Sequence, residues 1–448
     1  MTIDILPDDA LLEIFSFFRE DSYFRKASWW IPLAHTCQRW RCIIFALPVH
    51  LNAVLVCNRG TSVRKSTKLW PRFPISIHYS FSNWEDEINI SAALEHRDDV
   101  SEISLYQIPI AHGRLATMLQ EPFPALTYFH LSTSNWPSRP ALPEIFFGGS
   151  ASSLRKVFLE SVPFPAFLRL VLSAPNLVSL ALHKTPVSGY IPSEAMATCL
   201  ATLINLERLD IRFPSTSPHP DHTIPPSLPR AVLPALTRLS FDGFSGYLED
   251  FLSRIDTPVL RALSITFTDS VSHIPQLFRT ISCAERFKPP EIAVLEFRGS
   301  DLTLRFAPSD SFDLYIKCDN MVERSLAMRL ICDELSPLLC CINRLILSGE
   351  RRDLWLIWCN NMEPMQWLDF LRPFIAATSL HVSYALWGCF KHALSGLTEE
   401  EATGMLPELR TLFVEASRPF VSVPKGIEQF VAARQLSGRP IEIQPWIP

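Results

Sequence analysis

The sequence predicts an α/β protein in which a small N-terminal helical unit precedes a long parallel sheet built from alternating strands and helices. Two patterns predict this fold. The first stretch of the chain, about fifty residues, carries apolar side chains at helical spacing, and the remainder repeats one short apolar pattern at intervals typical of strand–helix units. The chain has 448 residues, of which 48% are hydrophobic and 19% charged, and this supplies more core material than one ordinary domain requires.

The first predicted helix begins near Pro7. Proline suits the first helical turn, where its missing N–H costs nothing, and Asp8 lies near the positive end of the helix dipole. An apolar stripe follows at helical spacing: Leu11, Ile14, Phe15 and Phe18. Because Leu12 and Phe17 flank this stripe on opposite sides, the apolar arc is wider than one buried face requires.

A second amphipathic helix is predicted within residues 33–48. Its apolar positions are spaced by four, three and four residues: Leu33, Cys37, Trp40 and Ile44. It ends before Pro48 and carries Arg39 and Arg41 on its outer face. A helical unit this small buries a limited fraction of its surface, so its surplus of large apolar side chains has to be covered by the rest of the chain or by a partner.

These residues resemble the F-box family in order, spacing and N-terminal position. The matching pieces are Leu6-Pro7, Leu11-Leu12, Ile14-Phe15 and the segment Cys37-Gln38-Arg39-Trp40-Arg41. The insert around residues 22–30 is similar to that of fungal F-box-like variants. F-box helices dock on the small Skp-family adaptor, which links them to a cullin ubiquitin ligase.

The resemblance covers roughly the first fifty residues and implies which side chains contact the adaptor. Those expected to face it are Leu6, Pro7, Leu11, Ile14 and Phe15. Leu33, Cys37 and Trp40 would contribute to that contact or support it from behind. The alternative, that such residues hold the three helices together, stays open and is preferred for Leu12, Phe18 and Ile44.

The remaining residues repeat an apolar pattern with spacings of three and two, often led by a Pro-x-Leu segment. The tetrapeptide Pro-Ala-Leu-Thr occurs at both Pro124 and Pro234, and successive units mostly lie about 23 to 32 residues apart, which is the leucine-rich-repeat range. Strands are predicted in segments beginning at Leu51, Pro74, Val100, Pro124, Ser153, Pro175, Asn205, Pro234, Pro258, Pro290, Ile342 and Pro407. Helices are predicted from Pro165, Ser193, Gly246, Ser272, Val322 and Pro364.

This alternation predicts an irregular α/β solenoid that resembles leucine-rich repeats and has a parallel sheet. The asparagine that usually follows each strand of that family is replaced by Ser134, Thr185, Pro214, Phe244 and Thr268, so we expect irregular turns. Residues 302–317 break the rhythm with two alternating strands around Pro308, which predicts a hairpin insertion.

Composition and motifs argue against several functions. A net charge of −5 argues against a nucleic-acid-binding surface. Eleven cysteines without a Cys-x-x-Cys pair indicate reduced thiols in a cytoplasmic or nuclear protein, and no apolar run is long enough to predict a membrane span. The chain lacks a nucleotide loop, a Gly-x-Ser-x-Gly elbow and a His-Glu-x-x-His segment. We therefore expect no catalytic residue, no cofactor and no metal.

Several sequence features have alternative interpretations. The tryptophans Trp355, Trp358, Trp367 and Trp387 could anchor a partner, although core packing is the preferred reading. The proline-rich segment at 213–234 is read as an extended loop, and the basic cluster between Arg59 and Arg72 as a solvated face.

The sequence thus predicts two parts: an F-box helical domain at residues 1–50 and a leucine-rich-repeat-like solenoid at residues 51–448 that binds a protein client. The resemblance implies a substrate-recognition subunit of an SCF-type cullin–RING ubiquitin ligase, which would act by bringing its client close to the conjugating enzyme. The alternative is a non-catalytic scaffold that binds the adaptor outside ubiquitin ligation. The client is not identified by the sequence.

Overall fold

In the computed structural model the described part of the chain comprises residues 5–20, 29–48, 51, 53–57, 73–80, 84–108, 117–133, 145–162, 170–184, 191–214, 230–269, 271, 273–283, 290–298, 301–307, 312–318, 321–349, 364–395, 397–415 and 427–446. The basic cluster, most of the proline-rich segment, and Trp355 and Trp358 lie outside it. The chain divides into two compact units. The first unit is Met1–Ile191 with Thr202–Leu206, and the second unit is Pro192–Ala201 with Glu207–Pro448.

The first unit opens with three helices: α1 (Asp8–Glu20), α2 (Trp30–Thr36) and α3 (Gln38–Ala46). They pack against the beginning of the sheet. The Trp30 indole donates to the backbone carbonyl of Val54 at 3.1 Å, and its ring stacks on Phe73 with centroids 4.6 Å apart. A domain boundary at residue 50 stays a prediction, because these contacts join the two predicted parts.

The sheet of the first unit is parallel throughout. Its strands are β1 (Leu55–Cys57), β2 (Ile75–Ser80), β3 (Val100–Ile108), β4 (Tyr128–Thr133), β5 (Lys156–Glu160) and β6 (Ser179–His183), paired in chain order. Helix α4 (Trp84–Leu94), which the repeat pattern did not predict, connects β2 to β3. Parallel strands need such crossovers, since a short turn can join only antiparallel neighbours.

Alternate positions along these strands form the core of the first unit. One row across the sheet is Ile77, Ile103, Phe129, Val157 and Leu180, in register from β2 to β6. Each of these side chains is at most 2% exposed. The opposite face, which we call the open face, carries the polar and aromatic positions between them.

The second unit repeats the strand–helix alternation. Its main sheet contains β7 (Arg208–Arg212), β9 (Arg238–Gly243), β11 (Ala262–Phe267), β12 (Ile292–Arg298), β13 (Asp301–Ala307), β14 (Phe312–Ile316), β15 (Arg344–Gly349), β16 (Ser379–Val382), β17 (Thr411–Glu415) and β18 (Glu442–Trp446). A separate parallel pair is formed by β8 (Ala231–Val232) and β10 (Ile255–Asp256). The helices are α5 (Ser193–Leu200), α6 (Ser245–Arg254), α7 (Pro275–Cys283), α8 (Met321–Leu339), α9 (Pro364–Leu371), α10 (Tyr384–Ser395), α11 (Glu399–Gly404) and α12 (Glu428–Leu436).

The predicted hairpin insertion is confirmed. β12, β13 and β14 pair antiparallel, and β14 then pairs parallel with β11 while β12 pairs parallel with β15. The insertion therefore lies within the sheet, and its outer strands pair in parallel with the repeated strands on either side. Apart from this meander, the pairings described in the main sheet are parallel, so the predicted α/β fold class is confirmed.

The repeated Pro-Ala-Leu-Thr segment joins one repeat to the previous one. The Thr127 hydroxyl donates to the carbonyl of Ser101 at 3.1 Å, and the Thr237 hydroxyl donates to the carbonyl of Glu207 at the same distance. The leucine before each threonine is at most 1% exposed. In place of an asparagine after each strand, these turns use a threonine before it. Its hydroxyl adds to the backbone donors of the same carbonyl, which are the N–H of Thr127 at Ser101 and the N–H groups of Thr237 and Arg238 at Glu207.

Candidate functional site

The helices α1 to α3 carry the predicted adaptor-binding residues, and the structure corrects the orientation of two of them. Leu11 and Phe15, expected to face outward, are 0% exposed. Pro7 is exposed, and Leu6 and Ile14 are half-buried. The physical reason is that the centre of the apolar stripe of α1 packs onto α3, so that only the flank of the stripe remains at the surface.

The residues predicted on α2 and α3 largely support this packing. Leu33 is buried, and the Trp40 ring meets Phe15 edge-on with centroids 4.9 Å apart. Cys37 caps α3, because its Sγ accepts the backbone N–H of Trp40 at 3.5 Å. Cys37 and Trp40 are both half-buried, so each keeps some surface beside this structural role.

Arg39 holds the beginning of α1 against α3. Its guanidinium donates to Asp8 Oδ1 and to the carbonyl oxygen of Leu6, both at 2.6 Å. The acidic residue that the sequence placed at the helix dipole therefore has a second role, and the predicted outward arginine is half-buried. This contact fixes the Leu6-Pro7 turn in place beside the exposed flank of α1.

The exposed apolar side chains of this region differ partly from those the sequence selected. Phe17, on the flank of the stripe, is 64% exposed and Ile5 is 72% exposed. Phe45 and Leu47, at the end of α3, are also exposed. The signal for Phe17 was the unusual width of the apolar arc, whereas nothing in the pattern distinguished Phe45 from the buried Ile44.

The open face of the first unit carries a stack of four rings, one from each of β3 to β6. The centroids of Tyr106 and His130 are 4.4 Å apart, those of His130 and Phe158 are 4.2 Å apart, and those of Phe158 and His183 are 4.5 Å apart. Tyr106 is 39% exposed and His130 only 7%. This ring stack forms a preorganised aromatic strip across four neighbouring strands.

Paired charges and hydroxyls border the ring stack. Glu160 accepts from Lys184 Nζ at 2.8 Å and from the Ser132 hydroxyl at 2.9 Å, and the bond with Lys184 is the main reason that the pKa of Glu160 lies below its usual range. His130 Nε2 is buried without a hydrogen-bond partner. Burial lowers the pKa of His130, against an opposing effect of Glu160, and so favours its neutral ring.

A serine, a histidine and a carboxylate meet nearby without the geometry of a catalytic triad. The Ser76 hydroxyl donates to Glu102 Oε2 at 2.7 Å and lies 2.8 Å from His78 Nε2. The same Nε2 faces Glu102 at 3.7 Å. In a triad the histidine lies between the serine and the acid and uses a different nitrogen for each. Here the hydroxyl proton goes to the carboxylate, and Ser76 is 1% exposed, so this cluster ties β2 to β3.

The open face of the second unit has its own buried histidine on β16. The ring of His381 stacks on Phe413 of β17, with centroids 4.2 Å apart and an interplanar angle of 11°, and it meets Trp446 of β18 edge-on at 5.2 Å. Both ring nitrogens lack a hydrogen-bond partner, and the residue is 6% exposed. Burial, together with the positive charge of Arg344, lowers the pKa of His381 to about 4.

The depressed pKa of His381 predicts a loss of stability in mild acid. Below pH 6.5 the unfolded chain takes up a proton at this position, whereas the folded chain does so only near pH 4, so the free energy of unfolding falls as the pH drops through this window. We expect a contribution of about 2–3 kcal/mol. Urea unfolding at pH 7 and pH 4.5 measures it, and His381→Phe, which retains the stack, should reduce the difference between the two pH values. An unchanged difference in the variant would contradict the assignment.

The residues described form neither a metal site nor a membrane-spanning helix. No group of three or more His, Cys, Asp or Glu side chains in the described ranges is arranged to hold a metal ion. Likewise, none of the helices described is both long and apolar enough to cross a membrane. Trp367, one of the tryptophans that could have anchored a partner, is 1% exposed and belongs to the core.

These features define a class of protein: an α/β repeat protein of leucine-rich-repeat-like architecture whose parallel strands present an open face. The sequence matches no family model and no curated protein. Among solved structures, one similar chain is the leucine-rich repeat-containing protein LegL7 from Legionella pneumophila. It is 10% identical, with a TM-score of 0.31, and the match covers 86% of this chain and 98% of that one.

Proposed function

We propose that this chain is a non-catalytic protein-binding subunit in which α1 to α3 bind a Skp-family adaptor and the open face of the repeat sheet binds a protein client. The observation that carries the proposal is the apolar surface left on these helices in a segment whose motifs follow the F-box order. Ile5 and Phe17 are 72% and 64% exposed, far more than the large apolar side chains of the hydrophobic core. An exposed apolar side chain alone does not define an interaction site, and the coincidence of these two with the F-box motif order is what supports one here.

The adaptor contact proposed here uses the residues of the F-box motif that retain surface. They are Leu6, Pro7, Ile14, Cys37 and Trp40, extended by Phe17. Leu11, Phe15 and Leu33 act from behind, since they set the positions of α1 and α2. The protein would serve as the substrate receptor of an SCF-type cullin–RING ligase, and it would accelerate ubiquitin transfer by local concentration of the client.

For the client, the ring stack of the first unit is the surface that the geometry favours. Tyr106 and Phe158 present aromatic area that is already held in place, so a bound peptide would not have to order these rings. Aromatic side chains carry a large share of the binding energy in protein interfaces. The neighbouring Glu160 and Lys184 neutralise each other, which leaves the stack as the dominant feature of this part of the sheet.

The adaptor contact predicts a loss of binding when charge is placed on the exposed flank of α1. The double variant Ile14→Asp, Phe17→Asp should weaken binding to a purified Skp-family adaptor by more than about tenfold, because a carboxylate would be buried in an apolar contact. Titration calorimetry measures the affinity. Ile88→Asp is the matched control, since Ile88 is 48% exposed on α4, outside the proposed surface. Wild-type affinity in the double variant would refute the proposed contact.

The alternative function is a scaffold that binds the adaptor outside ubiquitin ligation. Both functions need the same surface on α1 to α3, so adaptor binding does not separate them. Affinity purification of the full chain from cells does: co-purification of adaptor with cullin supports the ligase, and adaptor without cullin supports the scaffold. In both measurements the double variant Ile14→Asp, Phe17→Asp is the negative control, because it should not bind the adaptor.

A further inference from the structure

Two adjacent cysteines follow α8 at its C-terminal end, in the second unit. The Sγ atoms of Cys340 and Cys341 are 3.9 Å apart. Both thiols approach one carbonyl oxygen, that of Pro337, at 3.1 Å from Cys340 and 3.9 Å from Cys341. Cys341 is exposed and Cys340 half-buried. The two sulfur atoms therefore converge on one accessible point of the surface.

This spacing suits a single bridging atom better than a disulfide. A disulfide needs sulfur atoms about 2.05 Å apart and Cα atoms usually at least about 4.4 Å apart. Adjacent Cα atoms are held at about 3.8 Å by a trans peptide bond, so a bridge between neighbours is strained. By contrast, a centre with two sulfur bonds of about 2.3 Å at a tetrahedral angle places the sulfurs about 3.8 Å apart. The observed 3.9 Å is far closer to the spacing around one bridging atom than to a disulfide bond, and a pyramidal trivalent centre, whose bond angle is narrower, needs only a small further approach of the two sulfurs.

We propose that Cys340 and Cys341 form a vicinal dithiol site that captures trivalent arsenic compounds carrying one organic group. Zinc would require about four ligands, and no third His, Cys, Asp or Glu completes such a set among the residues described. Trivalent arsenic needs only the two thiolates, because its organic group fills the third position. With an arsenoso compound, two As–S bonds form, the arsenic–oxygen bond breaks, and the two thiol protons leave with that oxygen as water. No oxidant or reductant takes part.

A groove beside the dithiol has room for the organic group. It has a volume of about 800 Å³, lies between α8 and α9, and is lined by Cys340 itself. Pro373 and Ile375, which follow α9, also line it, and Ile375 is 52% exposed. An aryl substituent on the arsenic would cover this apolar surface, so aryl compounds should bind better than methyl compounds.

The pKa of Cys340 bears on how this thiol reacts with reagents that modify a single cysteine. Burial and the contact with Cys341 raise its pKa above the usual value. A thiol that stays protonated at neutral pH reacts slowly with alkylating reagents, since the thiolate is the nucleophile. When two thiols capture one arsenic atom, the second As–S bond forms within the same molecule, and this increases the affinity.

The test uses the full chain and phenylarsine oxide in the presence of excess glutathione, which competes with single thiols. Intact-mass spectrometry should show one retained arsenical, released by a small dithiol. Cys340→Ser and Cys341→Ser should each weaken retention by about 100-fold or more. Cys42→Ser, at an exposed cysteine on α3, is the matched control and should retain the arsenical. Full retention in either of the first two variants would overturn the proposal.

A second measurement avoids dependence on the variants. Wild-type protein treated with phenylarsine oxide is labelled with a maleimide, and the labelled peptides are mapped. Protection of the exposed Cys341, with normal labelling of Cys42, supports the site. Labelling of Cys341 to the same extent as in untreated protein would overturn it.

Discussion

Replacing Phe15 by alanine is expected to lower the free energy of unfolding by about 3–5 kcal/mol. The side chain is 0% exposed, and its ring meets Trp40 edge-on at 4.9 Å. Truncation removes the transfer energy of the ring and leaves a cavity between α1 and α3, which neighbouring side chains fill only in part. Urea unfolding followed by tryptophan fluorescence measures the effect, since Trp40 reports on this contact.

Phe17→Ala is the matched control for Phe15→Ala. It removes the same atoms from the same helix, but Phe17 is 64% exposed, so the expected change is within about 0.5 kcal/mol. The two variants are expected to separate the roles of the helix: the first destabilises the protein, and the second weakens only adaptor binding. Equal destabilisation by both variants would show that Phe17 is also buried, contrary to the packing of α1 described above.

Replacing Arg434 by methionine is the second change with a large expected effect, a loss of about 3–5 kcal/mol. Arg434, on α12, is 0% exposed. Its Nη2 donates to the carbonyl of Leu409 at 2.9 Å, and its Nη1 donates to the carbonyls of Met405 and Leu406, each at 3.3 Å. Methionine retains most of the stem but removes this donor from three buried carbonyls. That of Leu406 keeps the backbone N–H of Leu409, and each carbonyl left unpaired costs about 1–3 kcal/mol.

Arg439→Met provides the comparison for Arg434→Met. Arg439 also donates to a carbonyl of the same turn, that of Pro407, but at 3.4 Å and from an exposed position. Water replaces this donor when the guanidinium is removed, so we expect a change within about 0.5 kcal/mol. The urea midpoint at constant pH measures both variants. A small effect at Arg434 would mean that water also reaches the carbonyls it contacts.

Much of the fold follows from local patterns. The alternating apolar positions predicted most strands of both units, and the broken rhythm near Pro308 predicted the hairpin that the pairing of β13 with β14 confirms. Helix α11 begins after Thr398, which forms a capping box with Glu401. Helices α4, α10 and α12 and strands β16 and β18 were missed, although α10 buries Leu386, Phe390 and Leu394 at a spacing of four residues.

The sequence predicted the candidate binding surfaces less well than it predicted the fold. The members of the ring stack are separated by more than twenty residues along the chain. They meet only because the register of β3 to β6 places His130 directly opposite Phe158, with Tyr106 and His183 at diagonal positions. Cys340 and Cys341 are adjacent in the sequence, but adjacency does not determine where their sulfur atoms lie. Its convergence on the Pro337 carbonyl depends on how α8 ends.

The sequence by itself determined which residues share a face, since helical and strand periodicity are properties of the backbone. It therefore placed Leu11, Ile14 and Phe15 together and set the repeated Pro-Ala-Leu-Thr segment before its strands. Only the tertiary structure decided which side of that face is covered. The packing of Trp40 onto Phe15 buries the centre of the α1 stripe and leaves Phe17 exposed, because burial depends on the neighbour that arrives from elsewhere in the chain.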